Sequence, residues 1–310
     1  MNNLSKRAER AVALATAAGE RLGLRAEQPR VLHDVFNVLV HLAPHPVVVR
    51  VPSLTLATAG EQAVKQRHEL AVTGWLADTG APVVRPSPLV PREPVECEGR
   101  SLTFWEFVTE EPLADGADLA ELFVRQAADA AALHRLLAGY PGAGELPVLS
   151  PLVPAIGTAL ARLRTQDGHG LTEAELQRAE REYAVLEVLV RDLTAHFPGA
   201  HVQTLHGDSP AYNMLRTTGG PLYSDFEDVT RGPVEWDLTL AGPQAIEVYE
   251  RAGGRPVDRA LLDVMEGARL LQVVGALALV PQMPEMGPMM VPAIDLWRSR
   301  APLTLPRSAP

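Results

Sequence analysis

The most informative stretches of this sequence are LHGDSPAYN, residues 205–213, and YSDFE, residues 223–227. Among their side chains are the carboxylates of Asp208 and Asp225 and the carboxamide of Asn213. The first stretch has the composition of a loop, and the second ends a predicted strand. Carboxylate and amide oxygens are ligands that Mg²⁺ prefers, and a cation held in this way can bind the phosphates of a nucleotide. The pattern therefore predicts a site for phosphoryl transfer.

The chemistry of phosphoryl transfer suggests a role for each of these side chains. The reaction needs positioning and charge neutralisation, because negative charge spreads over the moving phosphoryl oxygens. Since magnesium keeps several waters and binds phosphate oxygens, Asn213 and Asp225 suffice as its protein ligands. A hairpin over residues 213–225 is expected to carry Asp225 into place. Asp208 is then available to accept the proton of an acceptor hydroxyl, and His206 is expected to hydrogen-bond the loop backbone.

A purely structural explanation competes with this one. Asp and Asn in glycine-containing loops commonly serve as Asx-turn and N-cap residues without any chemistry. That explanation is favoured for any one of them alone, whereas the ordered set favours a functional site. Asp237, which precedes Leu238 and a predicted helical stretch, is interpreted as a buried cap.

Four separated elements occur together in a fixed order. They are His206-Gly207-Asp208 with Asn213, then Asp225-Phe226-Glu227-Asp228, then Gly232-Pro233, and finally Glu235-Trp236-Asp237-Leu238. In this set the sequence resembles the aminoglycoside phosphotransferase family, whose relatives include choline kinase and, more distantly, the protein kinases. The resemblance implies an α+β, bilobal, protein-kinase-like fold. It implies a small N-terminal antiparallel-sheet lobe at residues 1–108, which binds the nucleotide, and a larger, mainly helical C-terminal lobe at residues 109–310.

The resemblance also implies roles for individual residues. It makes Asp208 the catalytic base, makes Asn213 and Asp225 the magnesium ligands and makes Asp237 structural. Relatives commonly have a glycine directly before the asparagine, but this chain has Tyr212, which lacks the backbone freedom of glycine.

In the predicted small lobe, an accessory helix over residues 4–22 precedes a β-hairpin over residues 35–51, where apolar residues alternate. The resembling family carries a lysine for the phosphates on the second strand, and here Arg50 stands in its place. Arginine keeps the charge and offers a planar fork of donors. The helix predicted over residues 61–79 contains Glu69, which the resemblance pairs with Arg50. A solvated helix face is the alternative for Glu69.

The last predicted strand of this lobe covers residues 101–108. By the resemblance it leads into a hinge, where backbone groups of Glu106 and Val108 contact an adenine-like base. The competing interpretation is that the aromatic residues of this strand only form part of the hydrophobic core. No G-x-G-x-x-G occurs between residues 33 and 50, so phosphate binding by a glycine loop is not predicted.

Helical periodicity dominates the rest of the chain. Helices are predicted over residues 118–137, 151–164, 172–193, 244–251, 258–280 and 294–300. A proline- and methionine-rich linker at residues 281–290 is expected to interrupt the last two. Its methionines could line an acceptor pocket or pack in the core, and packing in the core is favoured. His134 is expected to be a packed helix residue. In the resembling family acidic residues bind cationic acceptors, and Glu227, Asp228 and Glu266 are the candidates here.

Composition restricts the classes of partner. The chain has 310 residues, 46% hydrophobic and 21% charged, which is typical of a soluble globular protein with room for two cores. Its net charge of −10 argues against a nucleic-acid partner. The single cysteine, Cys97, excludes an internal disulfide. The longest apolar run, residues 270–280, is too short for a bilayer and the N-terminus too charged for a signal peptide, so a cytoplasmic location without a membrane partner is expected.

These observations predict a small-molecule kinase. It would use Mg²⁺ and transfer the γ-phosphate of ATP or GTP to a hydroxyl group of an aminoglycoside, another antibiotic or an amino sugar. Two alternatives stay open: a kinase for choline-like or other small alcohols, and a nucleotide-binding kinase-like protein with weak or no activity, which Arg50 and Tyr212 would explain. The sequence does not distinguish ATP from GTP or indicate an oligomeric state.

Overall fold

The computed structural model describes residues 5–113 and 116–305, which form two compact units. The first unit comprises residues 5–113 and 214–227, and the second comprises residues 116–213 and 228–305. The first unit begins with helix α1 (Lys6–Arg21) and a five-stranded antiparallel sheet. The strands are β1 (Gln28–Asp34), β2 (Asn37–Ala43), β3 (Val47–Pro52), β4 (Val95–Cys97) and β5 (Arg100–Glu106), in the order β1-β2-β3-β5-β4.

Strand β1 was not predicted from the sequence. Pro29 lies within it, opposite Leu42 of β2, and a register shift between Val31 and His33 interrupts the pairing. Because β1 is the edge strand of the sheet, the missing donor of a proline can be tolerated there. The predicted hairpin of β2 and β3 is confirmed.

Side-chain alternation decides what each face of the sheet meets. Val38, Val40 and Leu42 of β2, with every second residue of β3, pack against α1 in one buried cluster. The opposite face of the sheet presents Val48 and Trp105, which pack against Leu70 of helix α2 (Ala59–Asp78). Helix α2 begins at Thr58, whose side chain and Glu61 form a reciprocal capping box. The same alternation puts Arg50, two residues after Val48, on the face that α2 covers.

The second unit is mainly helical. Its helices are α3 (Leu119–Leu137), α4 (Ala155–Arg164), α5 (Glu173–Arg191), α6 (Leu193–His196), α7 (Pro243–Arg251), α8 (Arg259–Ala276) and α9 (Met286–Ser299). Strand β6 (Gln203–Leu205) pairs with a strand at Thr230–Gly232. Asp118 caps α3, and Thr172 forms the predicted capping box with Glu175 at the start of α5. The predicted helices that precede α9 are therefore confirmed in kind, with ends shifted by a few residues.

Between these two strands the chain forms a two-stranded antiparallel ribbon, β7 (Met214–Thr217) and β8 (Gly220–Tyr223); the strand Thr230–Gly232 is β9. The ribbon groups with the first unit. The backbone of Tyr223 bonds to residues 82 and 84, and the amide of Glu111 donates to the carbonyl of Arg216 at 2.8 Å. The first unit thus has a different extent from the lobe predicted at residues 1–108. The division of the chain into lobes at residue 108 stays a prediction.

The C-terminal helix differs from its prediction. Helix α9 begins at Met286 and includes Pro292, whereas a linker was predicted as far as residue 290. Pro288 falls in its first turn, where a proline breaks no intrahelical hydrogen bond. Met286 and Met290 are buried, as predicted, but Met289 is exposed.

One helical segment among the described residues, Arg259–Gln282, could span a membrane by length and composition alone, and 61% of its most apolar window is buried. This composition is also that of a core helix, which the sequence predicted for this stretch. Helix α8, the main part of the segment, buries residues on all its sides, among them Leu261, Met265 and Leu271.

Candidate functional site

The backbone of the loop after β6 is held in place by hydrogen bonds to a buried carboxylate. Asp237 accepts the backbone N–H of His206 at 2.9 Å and that of Gly207 at 2.8 Å, and the indole of Trp236 donates to the carbonyl of Gly207 at 2.8 Å. Burial raises the pKa of Asp237, but hydrogen bonds and the charges of His134 and His206 outweigh burial and lower it below its usual range. Asp237 is thus buried as predicted, but it caps this loop and not a helix.

His134 connects Asp237 to the helical core. Its Nε2 lies 3.0 Å from Oδ2 of Asp237, and its Nδ1 lies 2.9 Å from the hydroxyl of Tyr249 on α7. Both ring nitrogens therefore have partners within the packed interior. The prediction that His134 is a packed helix residue is confirmed.

Gly207 is required by the geometry of the loop. It has a φ of +93°, in the left-handed region that side chains avoid, and a Cβ there would lie 1.8 Å from the carbonyl oxygen of Asp228. Only glycine permits this close approach of two backbone segments. The middle residue of the His-Gly-Asp motif therefore has a steric explanation.

Asp208 presents its carboxylate at the top of this loop. Its side chain is 50% exposed, its Oδ1 accepts a hydrogen bond from Arg269 at 3.1 Å, and its backbone amide donates to Nδ1 of His206 at 3.3 Å. The last contact is the one predicted for His206. The amide nitrogen of Asn213 donates to the backbone carbonyl of Asp208 and lies 3.5 Å from Oδ2. The structure therefore brings Asp208 and Asn213 together within the second unit.

Arg269 of α8 was not predicted as a site residue. It is buried, and its Nε donates to the hydroxyl of Thr239 at 3.1 Å. Its Nη1 donates to Gln272 at 2.8 Å as well as to Asp208, and the guanidinium carbon lies 3.7 Å from the ring centroid of Trp236. The one sequence signal was that Arg269 directly precedes the apolar run of residues 270–280, where a buried charge is costly unless it is paired.

The first unit contains a second charged cluster. Arg50 and Glu69 form a fully buried ion pair, and Nη1 of Arg50 also donates to Oδ1 of Asp225 at 3.1 Å. Burial raises the pKa of Glu69 to about 7, against the opposing effect of Arg50. Burial lowers the pKa of Arg50, but the carboxylates of Glu69, Glu227 and Asp225 outweigh burial and raise it. Glu69 thus lies on the packed side of α2 and not on a solvated face.

Glu227 is engaged within the first unit. One carboxylate oxygen accepts from Asn37 of β2 at 2.9 Å, and the other accepts from Gln62 of α2 at 2.7 Å. Burial raises the pKa of Glu227, but the charges of Arg50 and Lys65, with these two donors, lower it to about 2. Both carboxylate oxygens of Glu227 therefore accept hydrogen bonds from the first unit. The sequence had made Glu227 a candidate for the acceptor site and did not indicate this structural role.

The remaining predicted residues are Asp228, which borders the loop, and Glu266, Glu106 and Val108, which lie on other elements. Asp228 follows the ribbon in the second unit and is half-buried, with its carbonyl against Gly207. Glu266 lies on α8, 3.9 Å from Arg300. Glu106 ends β5, and its backbone amide donates to the carbonyl of Arg85 at 2.8 Å. Val108 follows β5 and is half-buried.

The donor set fits magnesium better than a softer metal. No group of three or more His, Cys, Asp or Glu side chains that could hold a metal ion occurs in the described part of the chain. Asn213 and Asp225 each offer a hard oxygen, and the exposed fraction of the Asp225 side chain is 47%. Because magnesium takes most of its ligands from water and phosphates, oxygen donors of this kind fit it, whereas zinc usually takes three or four protein ligands.

A model of a family described as the phosphotransferase enzyme family matches residues 37–272. No curated protein matches the sequence. Among solved structures, a choline kinase from Streptococcus pneumoniae is similar, with a TM-score of 0.62, 14% identity and coverage of 93% of this chain and 100% of that one.

Two other solved structures share the architecture. An amicoumacin kinase has a TM-score of 0.65 and 12% identity, with coverage of 97% of this chain and 98% of its own. An aminoglycoside-3′-phosphotransferase of type VIII has a TM-score of 0.57 and 21% identity, with coverage of 87% and 100%. These likenesses confirm the predicted α+β, protein-kinase-like fold.

Proposed function

Because the chain belongs to the phosphotransferase enzyme family, and is a phosphotransferase with an alcohol group as acceptor, we propose that it is a small-molecule kinase that uses ATP or GTP. One observation carries the proposal. The Asp208 carboxylate is half-exposed on a loop whose backbone is held by buried Asp237. A carboxylate that is accessible on a rigid support is what a general base requires.

The proposed reaction starts at Asp208. An acceptor hydroxyl within hydrogen-bond reach gives its proton to the carboxylate while its oxygen bonds to the γ-phosphorus. The bond from that phosphorus to the bridging oxygen breaks, and the nucleoside diphosphate leaves. The main task of the loop is orientation, since small displacements of reacting groups are costly in rate.

The remaining roles concern the nucleotide. When bound, magnesium would neutralise charge on the phosphates, and Asn213 and Asp225 are proposed as its protein ligands. Arg50, fixed by Glu69, is proposed to contribute positive charge to the phosphates. Backbone groups of Glu106 and Val108 are proposed to contact the base, by the resemblance to related kinases.

The acceptor is proposed to be an aminoglycoside, another antibiotic or an amino sugar. Support comes from the similar structures, which include an amicoumacin kinase and an aminoglycoside phosphotransferase. Asp228 and Glu266 are the proposed acidic contacts, and Glu227, already bonded to Asn37 and Gln62, is the weakest of the three candidates. Since a choline kinase and an aminopropanol kinase are also similar, small amino alcohols belong in any screen.

The test is a screen followed by one substitution. Purified protein, magnesium and labelled ATP or GTP are incubated with a panel of aminoglycosides, amino sugars and choline-like alcohols. For any acceptor found, we expect Asp208→Asn to lower kcat about 100- to 10,000-fold, the usual contribution of a general base, with nucleotide affinity nearly unchanged.

Asp167→Asn provides the matched control. Asp167 is an exposed loop residue of the same unit, so the same chemical change there should leave turnover intact. Unchanged turnover in Asp208→Asn would remove the proposed base. Nucleotide binding without transfer to any acceptor would favour a kinase-like protein with weak or no activity.

A further inference from the structure

Helix α8 contains a buried cation whose hydrogen-bonded carboxylate is Asp208. Arg269 is 8% exposed and lies among the apolar residues of this helix. Its Nη1 lies 3.1 Å from Oδ1 of Asp208, and no other carboxylate in the described residues forms an ion pair with it. The pair joins a half-exposed carboxylate to a guanidinium in the core of the unit.

Stability alone does not explain an arginine at this position. Taking a guanidinium out of water costs several kcal/mol, and an apolar side chain of similar volume often serves a core as well or better. One donor, Nη2 of Arg269, is also buried without a hydrogen-bond partner among the residues that the structure describes. A buried polar atom without a partner calls for an explanation other than stability.

The guanidinium is held on several sides. Its Nε donates to Thr239, its Nη1 donates to Gln272, and its plane lies over the ring of Trp236 with the guanidinium carbon 3.7 Å from the ring centroid. A planar fork held in this way can fix the position of a carboxylate better than a flexible ammonium can. The position of Arg269 is thus set by contacts other than the one with Asp208.

The two carboxylate oxygens of Asp208 therefore have different hydrogen-bond donors. Oδ1 accepts from Arg269, whereas the nearest donor to Oδ2 is Asn213, at 3.5 Å. At that distance a hydrogen bond is weak. Oδ2 is therefore the oxygen better placed to accept a proton.

We propose that Arg269 is a positioning residue for phosphoryl transfer, which holds Oδ1 of Asp208 so that Oδ2 faces the acceptor hydroxyl. The inference rests on the proposed function of Asp208 as the base. Arg269 acts through Asp208 and touches neither substrate. Its loss should therefore lower kcat while nucleotide binding is kept.

The experiment compares Arg269→Gln, Arg269→Lys and Arg259→Gln. Arg259 lies on the same helix and forms an exposed ion pair with Glu250, so it is the matched control. The rate measured is transfer to the acceptor found in the screen, or otherwise magnesium-dependent ATP hydrolysis, in which water replaces the acceptor. We expect Arg269→Gln to lower kcat about 10- to 100-fold, with KM for ATP within about twofold of the unsubstituted protein. Arg269→Lys should recover only part of that loss, about two- to fivefold, because it keeps the charge without the planar fork, and Arg259→Gln should change neither constant.

A double substitution separates positioning from mere stabilisation. If Arg269 acts only through Asp208, adding Arg269→Gln to Asp208→Asn should not lower the residual rate further. A further loss of about tenfold or more in the double variant, or a normal kcat in Arg269→Gln, would overturn the inference while leaving Asp208 as the base. Should Arg269→Gln fail to fold, the inference is decided by Arg269→Lys, for which a kcat equal to that of the unsubstituted protein would overturn it. Absence of turnover in the unsubstituted protein, or full turnover in Asp208→Asn, would overturn the proposed function and this inference with it.

Discussion

Arg50 donates to two different carboxylates from two separate nitrogens, whereas a lysine would have to reach both from a single nitrogen. Its Nη2 pairs with Glu69 and its Nη1 donates to Asp225. A planar fork with separate donors suits this bridging geometry. The arginine therefore links the interior of the first unit to the residue that is proposed as a magnesium ligand.

Removing this cation should destabilise the protein in a pH-dependent way. In Arg50→Met, Glu69 is left buried without its partner, which typically costs about 3 to 5 kcal/mol when the charge persists. The folded-state pKa of Glu69, about 7 with Arg50 present, lies above its ordinary value of 4.5 and should rise further. Because the folded state then binds the proton more tightly, this contribution favours folding below pH 4.5 and is lost as pH rises through the folded pKa. We expect the loss of stability to be larger at pH 8 than at pH 5.5, measured by urea unfolding.

Arg92→Met is the control for this prediction. Arg92 pairs with Asp78 through an exposed ion pair, which is typically worth less than about 1 kcal/mol. Its substitution should have a small effect that is similar at both pH values. An equal loss at pH 5.5 and pH 8 in Arg50→Met would contradict the prediction.

Candidate site residues could be predicted from the sequence where they belong to a local motif. The His-Gly-Asp run, Asn213 and Asp237 could be recognised because each contributes a specific group to one short loop. Arg269 could not, because it reaches the loop from a helix 61 positions further along the chain. The structural partners of Glu227 were also hidden, since Asn37 and Gln62 lie 190 and 165 positions away in sequence.

At the scale of elements, the ribbon β7–β8 is tied to the first unit by Glu227. The carboxylate bonds to the start of β2 through Asn37 and to α2 through Gln62. Two donors from different elements thus meet one acceptor group directly after the segment that carries Asp225. We infer that Glu227 keeps this segment in place.

Glu227→Gln should weaken that attachment, because the amide offers one acceptor oxygen to two donors. The folded pKa of Glu227, about 2, lies below its ordinary value of 4.5, so its contribution is present above pH 4.5 and is lost as pH falls through the folded pKa. We expect the variant to be less stable by about 2 kcal/mol at pH 7, with a difference about 1 kcal/mol smaller at pH 3.5. Urea unfolding of both proteins at the two pH values measures this.

Glu93→Gln is the matched control, since Glu93 is an exposed residue of the same unit. It should change stability little at either pH. A Glu227→Gln variant that is as stable as the unsubstituted protein at pH 7 would show that the two hydrogen bonds do not hold the ribbon.

The type of most elements was predictable, and the misses have physical causes. Helices α3 and α5 carried clear periodicity and capping residues, and both were predicted. Strand β1 was missed because a proline normally argues against a strand, and only its edge position makes Pro29 acceptable. The start of α9 is not predictable from the pattern because prolines normally indicate a helix break, although Pro288 in the first turn disturbs no hydrogen bond of the helix.

At the scale of the whole molecule, the chain leaves and re-enters the first unit. Residues 214–227 group with it, although about a hundred residues of the second unit separate them from residue 113. The sequence does not indicate this return, because hydrophobic patterning shows which faces are buried but not which distant segment covers them.

The discontinuous first unit yields a last prediction about folding. A fragment of residues 1–113 keeps Glu69 but lacks Asp225, which accepts from Arg50, and Glu227, which accepts from Asn37 and Gln62. A fragment that continues through a short Gly/Ser linker into residues 214–227 regains both. We expect the longer fragment to be more stable by about 2 to 3 kcal/mol, from two or three charge-assisted hydrogen bonds and burial of Tyr223. Tryptophan fluorescence during urea unfolding measures this, because Trp75 and Trp105 both lie in the first unit.

The longer fragment with Glu227→Gln should fall between the other two in stability. If residues 214–227 added no stability to residues 1–113, the ribbon would depend on the second unit for its position. In that case the contacts of Asp225 and Glu227 with the sheet and α2 would not be what holds the ribbon in place. If the expected order is found, those contacts hold the ribbon on their own, and the proposed magnesium ligand belongs to the same folding unit as the cation that is proposed to bind the phosphates.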